Sequence, residues 1–190
     1  MENTILLFNA YLFLADGFEE MEALNTVDVL RRAGVQVTTV SIKDAKEVTG
    51  AHQIMVIADK MLTEVLNEKA EILIFPGGMP GAKNLGECDP LIEMLKKHFA
   101  KGGKIAAICA APAMVFGKLI LKEGTRLTCY PGFESYLSKY DVTDEGVVVD
   151  GNVITAKGPA YAVDFGLTIV EQIIGKEKAQ EVASGLLYVW

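Results

Sequence analysis

The chain has 190 residues, 51% of them hydrophobic, which suits one well-covered core spanning residues 1–190 and falls short of two comfortable domains. Its 25 acidic and 18 basic residues leave a net charge of −7, which argues against a nucleic-acid partner, since that needs a basic face. Three cysteines, Cys88, Cys109 and Cys129, form no CxxC pair and have no nearby ligand cluster, so neither a disulfide framework nor a structural zinc site is expected.

Ile5 to Leu14 is an apolar run that could pass for a signal-peptide core. It has Glu2 where a basic start belongs, and Asp16, Glu19 and Glu20 where a cleavage site belongs. No run approaches the ~20 apolar residues that span a membrane. Reduced thiols suit the cytoplasm, so a soluble cytoplasmic protein with no membrane partner is expected.

The run therefore reads as a first strand. Asp16 is the predicted N-cap of a following helix. Phe18, Met21, Leu24, Val27 and Leu30 form its apolar stripe, and Gly34 is its stop. Val35 to Ile42 alternates as a second strand, and Ile54 to Ile57 is a short one. Ile72 to Phe75 is a continuous apolar strand that runs into the breaker-rich loop Pro76 to Gly81. Pro90 to Ala100 reads as a helix ended by Gly102 and Gly103. A strand from Lys104 to Ile108 and a helix through Met114 and Leu119 come next, then a short strand from Leu127 to Cys129. Val147–Val149 and Val153–Ala156 flank Asp150-Gly151-Asn152, a strong hairpin turn. Ala160 to Ile174 and Lys176 to Ser184 are the last helices.

Short apolar runs alternating with helical patterns predict an α/β fold: a flavodoxin-like, doubly wound parallel sheet with helices on both faces and a small β-hairpin. Ligands of such sheets bind outside the strand carboxyl ends, at the topological switch point. Asp16 to Glu22, Pro76 to Gly81, Cys109 to Pro112, and Tyr130 to Gly132 all fall at predicted strand ends and should converge there.

Cys109 ends the strand and opens the helix, where backbone N–H groups and the helix dipole favour a thiolate. A small buried apolar residue is the alternative for a lone cysteine, and the expected pocket location favours the reactive thiol. Glu19, Glu20 and Glu22 complement the dipole at the start of the first helix. Glu22 also lies near the apolar stripe, where desolvation should raise its pKa. A neutral carboxyl there could donate a hydrogen bond to a thiolate. Cys88 reads as a surface thiol, and Cys129 as a packing residue rather than a pocket one.

Ala15-Asp-Gly-Phe-Glu-Glu-Met-Glu22, Val27-Asp-Val-Leu-Arg-Arg-Ala-Gly34, Phe75-Pro-Gly-Gly78, Ala106-Ala-Ile-Cys-Ala-Ala-Pro112 and Gly158-Pro159 occur in that order. Together they resemble the ThiJ/PfpI superfamily, most closely its branch containing the Parkinsonism-associated deglycase, over nearly the whole chain. The resemblance implies a homodimer with Cys109 as nucleophile and Glu22 as the protonated carboxyl beside it. It also implies a pocket lined by Gly77 and Gly78, with the Gly78 and Ala110 N–H groups as an oxyanion site. Asp28, Arg32 and Pro159 match positions near the pocket or dimer contact; for Arg32 a surface salt bridge is the alternative.

Departures from the pattern narrow the chemistry. Ala110 stands where family proteases carry a histidine, and Tyr130 where the deglycase branch often has one. His52 replaces an arginine of that branch and reads as an exposed loop residue; His98 reads as structural. A Cys-His dyad is therefore unsupported. The resemblance implies a cofactor-independent enzyme acting on a small aldehyde or glycated substrate, of glyoxalase or deglycase type. The alternatives are a redox-sensing or chaperone-like stress protein whose Cys109 is oxidised to sulfinic acid, a cysteine peptidase or amidase, and a purely binding role.

Overall fold

The computed structural model describes residues 8–119 and 121–190, so the predicted strand start at Ile5–Leu7 lies outside the described residues. The chain opens with β1 (Asn9–Leu14), α1 (Glu20–Arg32) and β2 (Gln36–Ser41). A small antiparallel pair, β3 (Glu47–Thr49) and β4 (Met55–Ile57), then leads to β5 (Lys60–Met61). Next come β6 (Ile72–Phe75), α2 (Gly81–Gly86), α3 (Asp89–Ala100), β7 (Lys104–Ile108) and α4 (Ala111–Met114). The last third holds β8 (Arg126–Leu127), β9 (Asp141–Val142), β10 (Val147–Asp150), β11 (Val153–Ala156), α5 (Ala162–Ile173) and α6 (Lys176–Gly185).

Seven strands form one sheet in the order β10-β11-β7-β6-β1-β2-β5. All neighbours are parallel except the β10–β11 hairpin, which turns at Gly151. The fold is thus the flavodoxin-like α/β arrangement read from the sequence. From β1 the chain winds outward through β2 to β5, then returns to β6 and winds the other way, so the switch point lies between β1 and β6. Every residue of β6 is buried, as a parallel strand covered on both faces requires. Phe13 and Phe75 stack at 5.3 Å, and Phe116 meets Phe75 edge-on at 6.0 Å, all fully buried behind the switch point. Burying each ring contributes on the order of 2–3 kcal/mol.

Local details depart from the sequence reading. Asp16 is not the cap of α1: its carboxylate accepts from Thr49 N at 2.9 Å and pairs with Lys43 Nζ at 2.7 Å. Glu19 caps instead, accepting from Glu22 N at 2.7 Å. The proposed stripe on α1 splits, because each three-residue step falls about 60° short of a helical turn and walks around the axis. Val27 and Leu30 are buried, whereas Met21 and Leu24 are 54% and 42% exposed. The helix after Cys109 ends at Met114, and a 3₁₀ turn at Phe116–Lys118 follows around Gly117, a poor helix former. The Leu127–Cys129 strand shrinks to β8, which pairs with β9 outside the main sheet, because Thr128 N donates to the Thr155 hydroxyl instead of a ladder carbonyl.

Candidate active site

Three loops meet at the switch point. The β1–α1 loop and the β6–α2 loop are laced together by Glu19 N to Gly77 O at 3.0 Å and Gly81 N to Gly17 O at 3.2 Å. Cys109, at the end of β7, donates its N–H to Ala156 O at 2.8 Å and accepts Tyr130 N–H on its carbonyl at 2.8 Å. Its φ of 65° lies in the left-handed region, costly for a residue with a Cβ, and aims the thiol out of the strand direction into the loop cluster. Cys109 is 8% exposed.

Glu22 is fully buried. One carboxyl oxygen, Oε2, accepts Gly77 N–H at 2.7 Å; Oε1 has no hydrogen-bond partner among the described residues. The Cys109 sulfur and the carboxyl both lie against Gly77, close enough for each to shift the other's titration, and the N–H groups of Gly78 and Ala110 act on the same sulfur. Glycine is required at position 77: a Cβ there would sit 2.6 Å from both Cys109 Cβ and Glu22 Oε2. Gly78 adopts a φ of 85°, which turns its N–H back toward the thiol loop.

The electrostatics are those of a coupled pair. Burial pushes Glu22 up to about 7, against the lowering effect of its hydrogen bonds with Cys109 and Gly77. Burial also pushes the Cys109 thiol up to about 12; the Glu22 charge and hydrogen bond add to the rise, and the Gly78 and Ala110 N–H groups oppose it. This corrects the expectation of a thiol lowered by the elbow alone. The α4 helix has only four residues, so its dipole is weak, and burial wins. Two of the three raising causes need Glu22 to be negative. A proton on Glu22 removes that repulsion and lets the carboxyl donate to sulfur, so the two groups titrate as one unit.

The site thus brings together Cys109, Glu22, Gly77, Gly78 and Ala110. Tyr130 joins through its backbone, with its half-exposed ring over Gly158; Pro159 follows Gly158 in a 3₁₀ turn on that rim. Arg32 and Asp28 lie toward the other end of α1 and pair with each other at 2.6 Å on the surface. His98 Nε2 bonds Lys104 O at 2.8 Å, a structural contact. Cys129 is buried and packs, its thiol pushed up to about 11 by burial. Cys88 is half-buried at the start of α3 rather than a surface thiol.

Sequence reasoning gave too little weight to Glu19 and Glu20, taken only as complements to the helix dipole; both are buried. Glu20 Oε1 accepts from His52 N at 2.7 Å, and Oε2 meets His52 Nδ1 at 2.8 Å. Glutamate is an uncommon cap and nothing in the pattern marks position 52 as its partner, so the signal was faint. Glu19, Glu20 and His52 are also the described residues whose ligand atoms come close enough to hold a metal ion, within 4.8 Å. Both Glu20 oxygens are already engaged by this loop.

A family model described as DJ-1/PfpI matches residues 9–172. The Drosophila melanogaster protein dj-1beta is 41% identical over 184 residues, covering 96% of this chain and 98% of that protein. A Caenorhabditis elegans relative named glutathione-independent glyoxalase is 38% identical over 175 residues, covering 88% of this chain and 89% of the other. An Arabidopsis thaliana relative, Protein DJ-1 homolog B, is 41% identical but longer, and the chain spans 40% of its length. The crystal structure of Drosophila DJ-1beta superposes with a TM-score of 0.93 at 38% identity, covering 97% of this chain and 100% of that one. The chain belongs to the DJ-1/PfpI family.

Proposed function

We propose that this chain is a cofactor-independent enzyme on small α-oxoaldehydes such as methylglyoxal or glyoxal, with Cys109 as nucleophile and Glu22 as its proton carrier. The carrying observation is a buried carboxyl set beside a thiol on a positive-φ elbow, both against Gly77, with two N–H groups acting on the sulfur. The thiolate adds to the aldehyde carbon, forming a C–S bond and an alkoxide held by the Gly78 and Ala110 N–H groups. Protonation of the alkoxide gives a hemithioacetal. Glu22 takes the proton from that carbon and returns it to the neighbouring carbonyl carbon, leaving a thioester. Water cleaves the C–S bond and releases lactate or glycolate with the thiol restored, so one dicarbonyl and one water give one hydroxy acid. Removing the same carbonyl adduct from an amine or thiol would be the deglycase form of this chemistry. The relative named as a glyoxalase supports this reading.

The test follows methylglyoxal loss and lactate formation with purified protein and with Cys109→Ala. Turnover that vanishes in the variant supports the assignment; none in the unmodified chain overturns it.

Oxidation of Cys109 to a sulfinic acid is the second reading, because the N–H groups on its sulfur would also hold the sulfinate oxygens. Mass spectrometry after mild peroxide separates the cases: even oxidation of Cys88, Cys109 and Cys129 removes it. Peptidase or amidase chemistry has less support, since His52 is engaged by Glu20 and His98 by Lys104 O.

A homodimer belongs to the same proposal. Met21 and Leu24 on α1, with Ile54, Met55 and Ile57 on the loop pinned to its start, leave a large apolar surface uncovered. Ile57 alone is 71% exposed. Light scattering on Ile57→Glu should report a shift from dimer to monomer. No helix among the described residues is long and apolar enough to cross a membrane, and three free cysteines suit a reducing cytoplasm.

A further inference from the structure

One residue beyond Gly78 along the chain lies a groove of about 400 Å³ that shares no lining residue with the site and that the proposed reaction does not use. Met79, Lys83, Met114, Lys118, Phe133 and Tyr136 line it. Its position follows from the chain: Met79 is the residue after Gly78, and Met114 lies one helical turn beyond Ala110, to whose carbonyl its N–H bonds at 3.0 Å. The groove is therefore joined to the two oxyanion donors through Met79 and Met114. Phe133 and Tyr136 of its wall continue an aromatic ladder that starts at Tyr130 outside it, with the Tyr130 and Phe133 centroids 6.5 Å apart and those of Phe133 and Tyr136 6.2 Å apart. Tyr136 is 62% exposed and Met79 47%. Large apolar side chains left open around a concavity mark a ligand surface more often than idle exposure.

The lining also defines the ligand. Two thioethers and two aromatic rings suit a flat π system, through sulfur–aromatic and ring–ring contacts. Lys83 lies 3.9 Å from Glu87, the one carboxylate in the lining, so these two charges offset each other. Lys118 makes no ion pair within 4.0 Å among the described residues. That leaves one uncompensated positive charge on the rim of an aromatic slot.

We propose that this groove is a subsite for a flat aromatic anion, which extends the reach of Cys109 from two- and three-carbon dicarbonyls to aryl ketoaldehydes carrying a carboxylate. Its substrate half rests on the carbonyl-enzyme reading above; the binding half does not. The aryl group sits between the methionines and the tyrosine ladder, its carboxylate on Lys118, and the ketoaldehyde reaches back past Met79 to the sulfur.

Two experiments on the full chain separate these halves. In Cys109→Ala, which performs no chemistry, 2-naphthoate binding is followed by saturation-transfer NMR. Adding Lys118→Glu or Tyr136→Ala should each weaken it about tenfold. No binding, or equal binding in all three proteins, overturns the subsite. In the active protein, kcat/KM for 4-carboxyphenylglyoxal should fall about tenfold in either single variant while methylglyoxal turnover holds. An equal fall for both aldehydes overturns the subsite as a specificity element. Variant-sensitive naphthoate binding in a protein that consumes no aldehyde leaves the anion site standing and removes the carbonyl-enzyme reading.

Discussion

Glu20 and Glu22 stand two residues apart in the first turn of α1, both buried, yet their environments drive them in opposite directions. Burial alone would raise Glu20, but the His52 side chain and the backbone N–H groups of His52 and Ile54 outweigh it and hold Glu20 below the usual carboxylate range. Glu22 has one backbone donor and a thiol, with no cation beside it, so burial wins and its pKa rises to about 7. Position on a helix does not fix a carboxylate's role; the donors its oxygens find do. The satisfied acid holds a loop in place, and the starved one is left able to carry a proton at neutral pH.

The hardest way to break this contrast is to remove what the starved acid serves. Cys109→Ala should lower methylglyoxal turnover by at least about 10³-fold, with folding unchanged by circular dichroism. Glu22→Gln keeps a donor beside the sulfur but cannot shuttle a proton, so a fall of about 10²-fold or more is expected. Its pH–rate profile should also lose the limb near 7. Equal turnover in Glu22→Gln and the unmodified chain would reduce Glu22 to a positioning role.

The same substitution reads out in stability. The Glu22 pKa rises from 4.5 unfolded to about 7 folded, so the native state holds a proton that the unfolded chain releases. Stability should therefore be fully present below about pH 4.5, fall between there and about pH 7, and then level off. At 1.36 kcal/mol per pH unit the loss is on the order of 3 kcal/mol. Urea unfolding at pH 5 and pH 8 measures it, and Glu22→Gln should flatten that part of the dependence.

Gly77→Ala tests the space between Cys109 and Glu22. A Cβ placed 2.6 Å from both Cys109 Cβ and Glu22 Oε2 must push one aside, at a cost of roughly 1–3 kcal/mol in thermal or urea unfolding. Activity should fall by more than stability accounts for, because the displaced atoms belong to the proposed nucleophile and proton carrier.

Legibility in the sequence followed the range of the forces involved. The strands Ile72–Phe75 and Lys104–Ile108 appear with the boundaries their apolar runs mark, because burial on both faces leaves a continuous signal. Cys109 and Glu22 were readable because one ends such a strand and the other adjoins an apolar stripe. The direction of the Cys109 shift was not, since it depends first on tertiary burial and then on Glu22, which lies 87 positions earlier in the chain and comes near only through the loop lacing at Gly77. Position 16 failed as a cap for a related reason: a side chain that looks local was taken by Thr49 and Lys43, from elements that periodicity cannot place. Short β5 and α2 carry too few residues for any period to register.

The gentlest probe acts on the satisfied glutamate. His52 is exposed, and its pKa is raised by the hydrogen bond to Glu20 and then by the Glu20 charge. A histidine raised on folding contributes stability that is fully present below its unfolded pKa of about 6.5 and is lost as pH rises through the folded value. His52→Ala should therefore destabilise the chain more at pH 5.5 than at pH 8.5, in the same direction as the Glu22 trend but over a higher pH window, in paired urea titrations. The effect should be small because solvent screens an exposed pair. Glu20 would keep its bonds to the backbone N–H groups of residues 52 and 54, so the loop should hold its place and methylglyoxal turnover should be unchanged. A turnover loss as large as that of Glu22→Gln would mean the two glutamates are coupled, and that the division between an anchoring acid and a proton-carrying one is wrong.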